Sequence, residues 1–428
     1  MLLQFSVENF KSIKSKAVLS LEASTDQQHP ENYETIGKDK CLKTAMVYGA
    51  NAAGKSNLFQ ALTAAILAVR MSNDRQLGAP IAQIQPFLFD EQMAAKPTSF
   101  EFIFIAEGKK YVYGFSATQS AVETEYLYVY NTSKATTIFE RDIHSSPEYR
   151  FTSPALKKQL MPITTRNTPN KLFLATATAW NCEETKIPLL WFAKGINTYA
   201  PDYESLLGIT GEMFENDDDQ SLRSFTNKLL HEADINISDY QFESSEYHKE
   251  ELLRAAPFPP AVREMISSLP GTGKRYDVRT LHRIQSENGE KVYALPLPLE
   301  SRGTRNVFSF SPIMKRAFET GEIICIDEFD TSLHPTLVRY LVELFHNPEV
   351  NRANAQLIIS THDLSLLTLK MIRRDQVYFV EKSQDTGESE LYSLDDFSPR
   401  ANENIRKAYM LGRYGSVPNV GDGDSLWQ

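Results

Sequence analysis

One stretch of eight residues decides how this chain folds: Gly49-Ala50-Asn51-Ala52-Ala53-Gly54-Lys55-Ser56. It fits the phosphate-binding pattern G-x-x-x-x-G-K-[ST] at every fixed position. Residues 44–48 predict a short buried strand before it, and residues 57–67 predict a helix after it, with apolar residues at i, i+3 and i+4 spacing. A strand, a glycine turn and a helix N-terminus form a nest of backbone N–H groups that binds an anion.

A second stretch supplies the carboxylates that a nucleotide site needs. The apolar run Ile323-Ile324-Cys325-Ile326 predicts a central parallel strand covered on both faces, and Asp327 and Glu328 follow at its end. We expect Lys55 to reach the β- and γ-phosphates and Ser56 to hold Mg²⁺. We expect Asp327 to complete the Mg²⁺ shell and Glu328 to accept a proton from the attacking water.

A third stretch predicts another buried strand and ends in a histidine. Residues 354–360 are mostly apolar and lead into Thr361 and His362. A histidine at the carboxyl end of a neighbouring strand can contact the γ-phosphate and the attacking water. We therefore interpret His362 as a catalytic residue rather than a structural one.

In this order of motifs the sequence resembles the ABC/SMC-type ATPases. The resemblance implies asparagines before and after the phosphate loop, here Asn51 and Asn57, and with Gly54 they complete the expected nucleotide contacts. It also implies a D-loop, here with Asp330, that acts across an interface between two heads. In such a pair of heads two nucleotides are sandwiched, and the signature loop of one head caps the γ-phosphate bound to the other.

The stretch that matches the signature loop is Leu299-Glu300-Ser301-Arg302-Gly303-Thr304-Arg305. It departs from the common Leu-Ser-Gly-Gly-Gln form, because Arg302 replaces the first glycine and Thr304 follows the second. Ser301 and Gly303 are its candidate nucleotide contacts, and a plain turn is the alternative interpretation. Gln85, with Gln83 as a second candidate, is the expected glutamine-loop contact.

The resemblance narrows to the AAA15 (OLD-like) group and, within it, to the RloA/AbiL-type ATPases. The matching segments are residues 5–13, 300–304, 327–335, 374–382, 390–394 and 412–418. It implies an ATPase component of a bacterial anti-phage, or abortive-infection, system that is encoded beside an effector such as RloB. The OLD nucleases carry a Toprim domain after the ATPase, but Asp422-Gly423-Asp424 lies too near the end of the sequence to belong to one, and we interpret it as an acidic tail.

We expect an α/β fold: an ABC/SMC-type P-loop NTPase head with an antiparallel β-subdomain and an inserted helical lobe. The expected division is 1–140 for the first part of the head, 141–290 for a mainly helical lobe, and 291–428 for the second part of the head. Within the lobe, helices are expected near 185–208, 219–233 and 248–268.

Finer expectations concern the strands. Residues 1–22 predict a hairpin, 23–40 a loop, and 98–130 three antiparallel strands rich in aromatic residues. That aromatic stripe could stack on bases, but packing in the core is the favoured interpretation. Gly271-Thr272-Gly273-Lys274 lacks the full phosphate-loop pattern and is interpreted as a surface turn.

Length and composition bound the function. A chain of 428 residues is too long for one ordinary core, and 42% hydrophobic with 23% charged residues is the balance of a folded protein. The net charge of −10 disfavours a general nucleic-acid binder but leaves a local basic groove open. Cys41, Cys182 and Cys325 lack metal-ligand spacing and fit a reducing cytosol. No signal peptide or apolar run of membrane-span length is recognised, so we expect a cytoplasmic protein without a membrane partner.

The expected function is ATP hydrolysis with ATP and Mg²⁺ as cofactors, in a homodimer or higher homo-oligomer that controls a separate effector. RloB-like or Toprim-type nucleases are the expected effectors, and nucleic acid stays open as a partner. The alternatives are a RecF/SMC-like DNA repair or maintenance ATPase and a sensor or scaffold ATPase that sequesters a toxin. A DNA-binding protein would show steep salt dependence.

Overall fold

A computed structural model describes residues 1–250, 271–287, 289–400 and 402–418. The chain divides into two compact units. The first unit contains Met1–Tyr199, Ala317–Asp330 and Val338–Gln428, and the second contains Ala200–Arg316 and Thr331–Leu337. The predicted helix at 248–268 lies mostly outside the described residues, as does the acidic tail at 422–424.

The elements are numbered here in chain order over the described residues. The strands are β1 (Leu2–Glu8), β2 (Ala17–Ser20), β3 (Tyr33–Ile36), β4 (Asp39–Leu42), β5 (Thr44–Tyr48), β6 (Thr98–Ala106), β7 (Lys109–Ala117), β8 (Val122–Tyr130), β9 (Ala135–Asp142), β10 (Tyr149–Arg150), β11 (Ile196–Tyr199), β12 (Asp239–His248), β13 (Thr272–Ser286), β14 (Gly289–Pro296), β15 (Ile323–Ile326), β16 (Gln356–Ser360), β17 (Val377–Lys382) and β18 (Ser389–Ser393). The helices are α1 (Lys55–Arg70), α2 (Glu91–Ala94), α3 (Pro154–Thr164), α4 (Phe173–Ala179), α5 (Glu183–Leu190), α6 (Tyr203–Glu215), α7 (Ser221–Glu232), α8 (Arg302–Thr320), α9 (Pro335–His346) and α10 (Ile405–Met410).

A six-stranded sheet in the first unit carries the three predicted motifs. Its order is β11-β15-β16-β5-β17-β18, and the pairs from β11 to β17 are parallel. Every residue of β5, β15 and β16 is buried, as expected for strands covered on both faces. Because these three strands are parallel neighbours, the residues that follow each of them meet at one edge of the sheet.

A seven-stranded antiparallel sheet, ordered β10-β9-β8-β7-β6-β1-β2, forms the predicted β-subdomain. It includes the predicted hairpin of β1 and β2 and the three predicted aromatic strands, β6 to β8. Phe102 and Phe104 are fully buried and pack against Trp191 and Phe192. This part of the aromatic stripe therefore lies in the core, and the mixed α/β fold with an antiparallel subdomain is confirmed.

Several local predictions were wrong. Part of the predicted loop at 23–40 forms a two-stranded sheet, β3 with β4. The predicted helix at 185–208 is interrupted, because a π-helical turn at Trp191–Gly195 leads into β11, which pairs with β15. The predicted surface turn at 271–274 leads into β13, and Thr272 is its first residue.

The inserted lobe also differs from its prediction. Residues 141–199 pack in the first unit, so the second unit begins at Ala200 rather than at 141, and it extends past 290 to Arg316. It contains a three-stranded sheet, β12-β13-β14, beside the helices α6 and α7. The described part of the lobe is therefore mixed α/β. Side chains of alternating polarity, as in Tyr276 to Arg279, favour a strand for β13.

A buried arginine fastens the segment at 24–28 to the start of β17. The Arg373 side chain is fully buried and pairs with Asp375 at 2.7 Å. It also donates to the backbone carbonyl oxygens of Asp26 at 2.9 Å and Gln28 at 2.6 Å. The guanidinium thus has partners for its charge and for its N–H groups, which a buried cation requires.

Replacing this arginine should destabilise the protein strongly. In Arg373→Met, Asp375 stays buried without its cation, so the free energy of unfolding should fall by about 3 kcal/mol or more. Urea denaturation measures this loss. The exposed pair of Arg339 with Glu343, at 2.9 Å, provides the control, because Arg339→Ala should cost less than about 0.5 kcal/mol. An equal loss in the free energy of unfolding for Arg373→Met and Arg339→Ala would contradict a stabilising role for the buried pair.

A buried histidine connects α9 to the parallel sheet. Nε2 of His346 lies 2.9 Å from Thr44 Oγ1 and 3.2 Å from the amide nitrogen of Gln376. Since the amide nitrogen is a donor, we assign Nε2 as the acceptor of a neutral imidazole. Burial lowers the pKa of His346 to about 3, which keeps the ring neutral in the folded protein at ordinary pH.

This histidine should make stability depend on pH. In the unfolded chain His346 binds a proton below its ordinary pKa of 6.5, whereas in the folded protein it stays neutral down to about pH 3. The free energy of unfolding therefore falls as the pH drops from 6.5 to about 3. Between pH 8 and pH 5 this contribution amounts to about 2 kcal/mol. Urea denaturation at pH 8 and at pH 5 measures how much free energy of unfolding is lost between the two. We expect this loss to be smaller in His346→Gln than in wild type by about 2 kcal/mol. An unchanged pH dependence would contradict a neutral buried ring.

Candidate nucleotide site

The phosphate loop needs glycine where α1 begins. Gly54 precedes the first helical residue and has φ 112°, in the region that favours glycine. A Cβ atom on Gly54 would lie 2.9 Å from Ser389 Cβ and 3.0 Å from Ser12 Oγ, and closer still to Ser389 Oγ. The start of β18 therefore packs directly against the loop, and no larger residue fits at this position.

Lys55 is the charged centre of the loop. Its side chain is buried, and Nζ donates to the backbone carbonyl oxygens of Gly49 at 2.8 Å and Ala50 at 3.2 Å. Burial lowers the pKa of Lys55. The negative charges of Asp327, Glu328 and Asp330 partly offset this effect and raise the pKa. The ammonium is thus held by the loop's own carbonyls within electrostatic reach of the carboxylates after β15.

The two carboxylates after β15 lie in different environments. Asp327 is half-buried and accepts a hydrogen bond from the Ser360 hydroxyl. Glu328 is exposed, has φ 53°, and donates its backbone N–H to the same Ser360 oxygen at 2.7 Å. Ser360, the last residue of β16, therefore fixes both residues. The sequence alone did not predict this role for Ser360.

His362 lies at the same edge of the sheet. It is exposed, and its backbone N–H donates to the Asp330 carboxylate oxygens at 3.2 and 3.3 Å. The backbone N–H of Thr361 donates to Val47 at 3.1 Å. The structure therefore brings together the segments of Lys55, Asp327, Glu328 and His362, as the parallel strands require. Their catalytic roles stay predictions.

Two serines that sequence reasoning missed support the phosphate loop. The Ser389 hydroxyl donates to the Ala53 carbonyl oxygen at 2.7 Å, and Ser389 Oγ lies 2.8 Å from Ser12 Oγ, within hydrogen-bond distance. Asn57 donates its side-chain N–H to Ser12 at 2.6 Å, so this predicted nucleotide contact faces the protein, whereas Asn51 is exposed. Ser12 belongs to the opening segment that carried the resemblance. Ser389 had no local signal.

The two glutamine-loop candidates lie in different places. Gln85 is exposed, and its backbone carbonyl accepts from the N–H of Lys11 at 2.8 Å, next to Ser12. The Gln83 side chain contacts the Met71 sulfur at 3.6 Å, and its buried Oε1 has no hydrogen-bond partner among the described residues. Of the two candidates, Gln85 is therefore the one bonded to the segment that contains Ser12, which contacts the residues around the phosphate loop.

The signature stretch belongs to the second unit, where it begins a helix. Ser301 Oγ accepts the N–H of Thr304 at 3.1 Å and so caps α8. A Cβ atom on Gly303 would lie 2.7 Å from the Ser332 carbonyl oxygen. Glycine is thus needed here for close packing of the D-loop backbone, in addition to any contact with phosphate.

The donor set fits Mg²⁺. The Ser56 hydroxyl and the Asp327 carboxylate offer hard oxygen ligands, which Mg²⁺ prefers. Within the described residues, no group of three or more histidine, cysteine, aspartate or glutamate side chains could hold a metal ion. A pair of protein oxygens suits Mg²⁺, because this ion keeps several waters and takes further ligands from phosphate.

A family profile matches residues 45–160 and 202–368, which is more than half of the chain. Its description is "AAA domain, putative AbiEii toxin, Type IV TA system". The chain belongs to this family. The match includes the phosphate loop, the signature stretch, Asp327, Glu328 and His362, and it supports nucleotide binding by a P-loop ATPase domain. Comparison with curated proteins finds no matching sequence.

Three solved structures show loose likeness to this member of the family. The SMC head bound to the C-winged helix domain of ScpA aligns at 12% identity and a TM-score of 0.41, covering 92% of this chain and 97% of that one. The SMC head domain from Thermotoga maritima aligns at 12% identity and a TM-score of 0.37, covering 92% of this chain and 98% of that one. The protein cbiO1 from Clostridium perfringens, part of the ABC transporter complex cbiONQ, aligns at 11% identity and a TM-score of 0.33. That alignment covers 97% of this chain and 98% of that one.

All three TM-scores lie below 0.5. Within the described residues, no helix is long and apolar enough to cross a membrane.

Glycine at position 54 should be indispensable for nucleotide binding. In Gly54→Ala the added methyl group meets Ser389, so the loop must move and its N–H groups lose their common direction. We expect ATP affinity, measured by calorimetry, to fall by about tenfold or more. Gly78→Ala is the control, since Gly78 also has positive φ, 79°, but open space around it. Normal ATP affinity in Gly54→Ala would contradict the packing argument.

Proposed function

We propose that this protein binds and hydrolyses ATP, and that it works as a homodimer or higher oligomer that controls a separate effector in bacterial anti-phage defence. The observation that carries this proposal is the meeting of Lys55 with Asp327 and Glu328 at one edge of the parallel sheet. A phosphate loop alone binds nucleotide. An exposed glutamate beside it adds a group that can activate water.

Binding begins with an exchange of partners at Lys55. The backbone N–H groups at the start of α1 receive the phosphates. Lys55 then leaves the carbonyl oxygens of Gly49 and Ala50 for phosphate oxygens, which gives stronger, charge-assisted hydrogen bonds. Ser56 and Asp327 would hold Mg²⁺, which when bound neutralises charge on the phosphates. The hydrogen bond from the Ser360 hydroxyl to Asp327 supports this role, because it restricts the carboxylate before any ion binds.

The chemical step depends on positioning. Glu328 is exposed at the carboxyl end of β15, so it can accept a proton from a water aimed at the γ-phosphate. His362 would sense the γ-phosphate from the next strand. Most of the acceleration in phosphoryl transfer comes from placing groups and stabilising charge, so these residues must stay fixed relative to the loop.

A second copy of the chain would complete the site. The proposed cap consists of Ser301 and Gly303 at the start of α8, where backbone N–H groups can meet phosphate. Gln85 and Asn51, both exposed, are further proposed nucleotide contacts. If two copies share each site, hydrolysis rises faster than protein concentration.

The defence role rests on the family and on the earlier resemblance. The family description names a toxin of a type IV toxin–antitoxin system, and the RloA/AbiL-type resemblance implies an abortive-infection ATPase with a separate effector. We propose a nuclease as that effector, held or released when ATP binding and hydrolysis change the arrangement of two heads.

Removing the proposed base should separate binding from hydrolysis. Glu328→Gln keeps the shape of the side chain but cannot take a proton, so kcat should fall by about a hundredfold or more while ATP still binds. Sizing with ATP and Mg²⁺ should show the variant accumulating as a closed dimer. Glu107→Gln, at another exposed glutamate, should behave like wild type. Wild-type turnover in Glu328→Gln would reject the assignment of the base.

The same preparations test the alternatives. Turnover that is independent of concentration would reject shared sites. Tight binding of duplex DNA, lost steeply with salt, would favour a repair ATPase over an effector-controlling one.

A further inference from the structure

Tyr48 is the last residue of β5 and lies directly before Gly49 of the phosphate loop. Its side chain is 1% exposed. The ring packs against Phe379 and Tyr409, with ring centroids 6.4 and 6.2 Å away. Packing alone explains why an aromatic ring stands here, but it does not explain the hydroxyl group.

The hydroxyl reaches the segment that carries His362. Tyr48 Oη donates a hydrogen bond to the backbone carbonyl oxygen of Asp363 at 3.1 Å. On the other side of His362, the N–H of Thr361 donates to the Val47 carbonyl oxygen at 3.1 Å. Two successive residues of β5 therefore bind the main chain on both sides of His362.

The environment keeps this hydroxyl a donor. Burial, followed by the charges of Asp363 and Asp330, raises the pKa of Tyr48 well above its ordinary value. Asp330 itself accepts the N–H of His362. Hydrogen bonds thus join the His362 segment to Asp330 on one side and to the strand that leads into the phosphate loop on the other, where Val47 and Tyr48 make the contacts.

We infer that Tyr48 is a positioning residue for the histidine of the proposed ATPase reaction. Its hydroxyl fixes the main chain after His362 to the strand that leads into the phosphate loop, so the imidazole keeps its place relative to bound phosphate. Tyr48 acts through His362 and does not touch the nucleotide. The inference rests on the proposed function, because it requires His362 to act on ATP.

Tyr48→Phe removes the hydroxyl and keeps the ring. We expect kcat for ATP to fall by about threefold to tenfold, the value of one lost hydrogen bond, while KM changes by less than about twofold. The matched control is Tyr409→Phe in the same aromatic cluster. Tyr409 is 6% exposed and donates its hydroxyl to the Ser416 carbonyl oxygen at 3.0 Å, so it loses the same kind of bond away from His362. Its kcat and KM should stay near wild type.

A double variant tests whether the effect passes through the histidine. In a His362→Ala protein, adding Tyr48→Phe should lower kcat no further, because residues that act as a unit are not additive. Equal losses in Tyr48→Phe and Tyr409→Phe would overturn the inference, since they would indicate general loosening of the cluster. A raised KM with unchanged kcat would also overturn it, since it would place the effect on binding.

Hydrogen exchange keeps the test independent of turnover. In the protein without nucleotide, the backbone amides of Thr361 and His362 should exchange about threefold to tenfold faster in Tyr48→Phe than in Tyr409→Phe. If wild type hydrolyses no ATP, the proposed function fails, and exchange still decides whether Tyr48 holds the segment. Unchanged exchange in Tyr48→Phe would overturn the inference even if ATP were hydrolysed.

Discussion

The parallel pairing of β5 with β16, and of β16 with β15, is the constraint on which the rest of the first unit depends. Leu357–Ser360 pair with residues 44–47, and Gln356–Ile359 pair with residues 323–326, so the three strands end at almost the same level. Parallel strands share a direction, and everything that follows them leaves from one edge. The segments that carry Lys55, Asp327, Glu328 and His362 come from distant parts of the chain and therefore lie at one edge of the sheet.

The phosphate loop is held in shape before any phosphate arrives. The Ser389 hydroxyl binds the Ala53 carbonyl oxygen, and the Lys55 ammonium binds the carbonyl oxygens of Gly49 and Ala50. A buried ammonium without acceptors would be costly, so these carbonyls stand in for phosphate oxygens. Because phosphate offers charge-assisted hydrogen bonds, binding of phosphate would replace the weaker contacts of Lys55 with stronger ones.

Sequence signals located the elements whose evidence is local. Apolar runs that lead into the glycine loop, into two carboxylates or into a histidine marked β5, β15 and β16, and helical spacing marked α1. Alternation marked the first hairpin, and aromatic composition marked β6 to β8. β11 was missed because a four-residue strand after a π-helical turn has too few residues to show a period. The contact of Ser389 with Ser12 spans 377 residues, so no local pattern could predict it. The residues that we propose for the chemistry could be selected from local sequence patterns, whereas the residues that hold them in place depend on tertiary contacts.

The backbone N–H of His362 leads from this site to the D-loop. It donates to Asp330 at 3.2 and 3.3 Å, distances at the long end for a hydrogen bond, on an exposed histidine. Such a bond stabilises the arrangement only modestly. A second copy that offered Asp330 a better donor would release the His362 amide while the bonds from β5 to Thr361 and Asp363 remained. The main chain around His362 is thus held more firmly on the side of β5 than on the side of Asp330, where the second head that we propose would act.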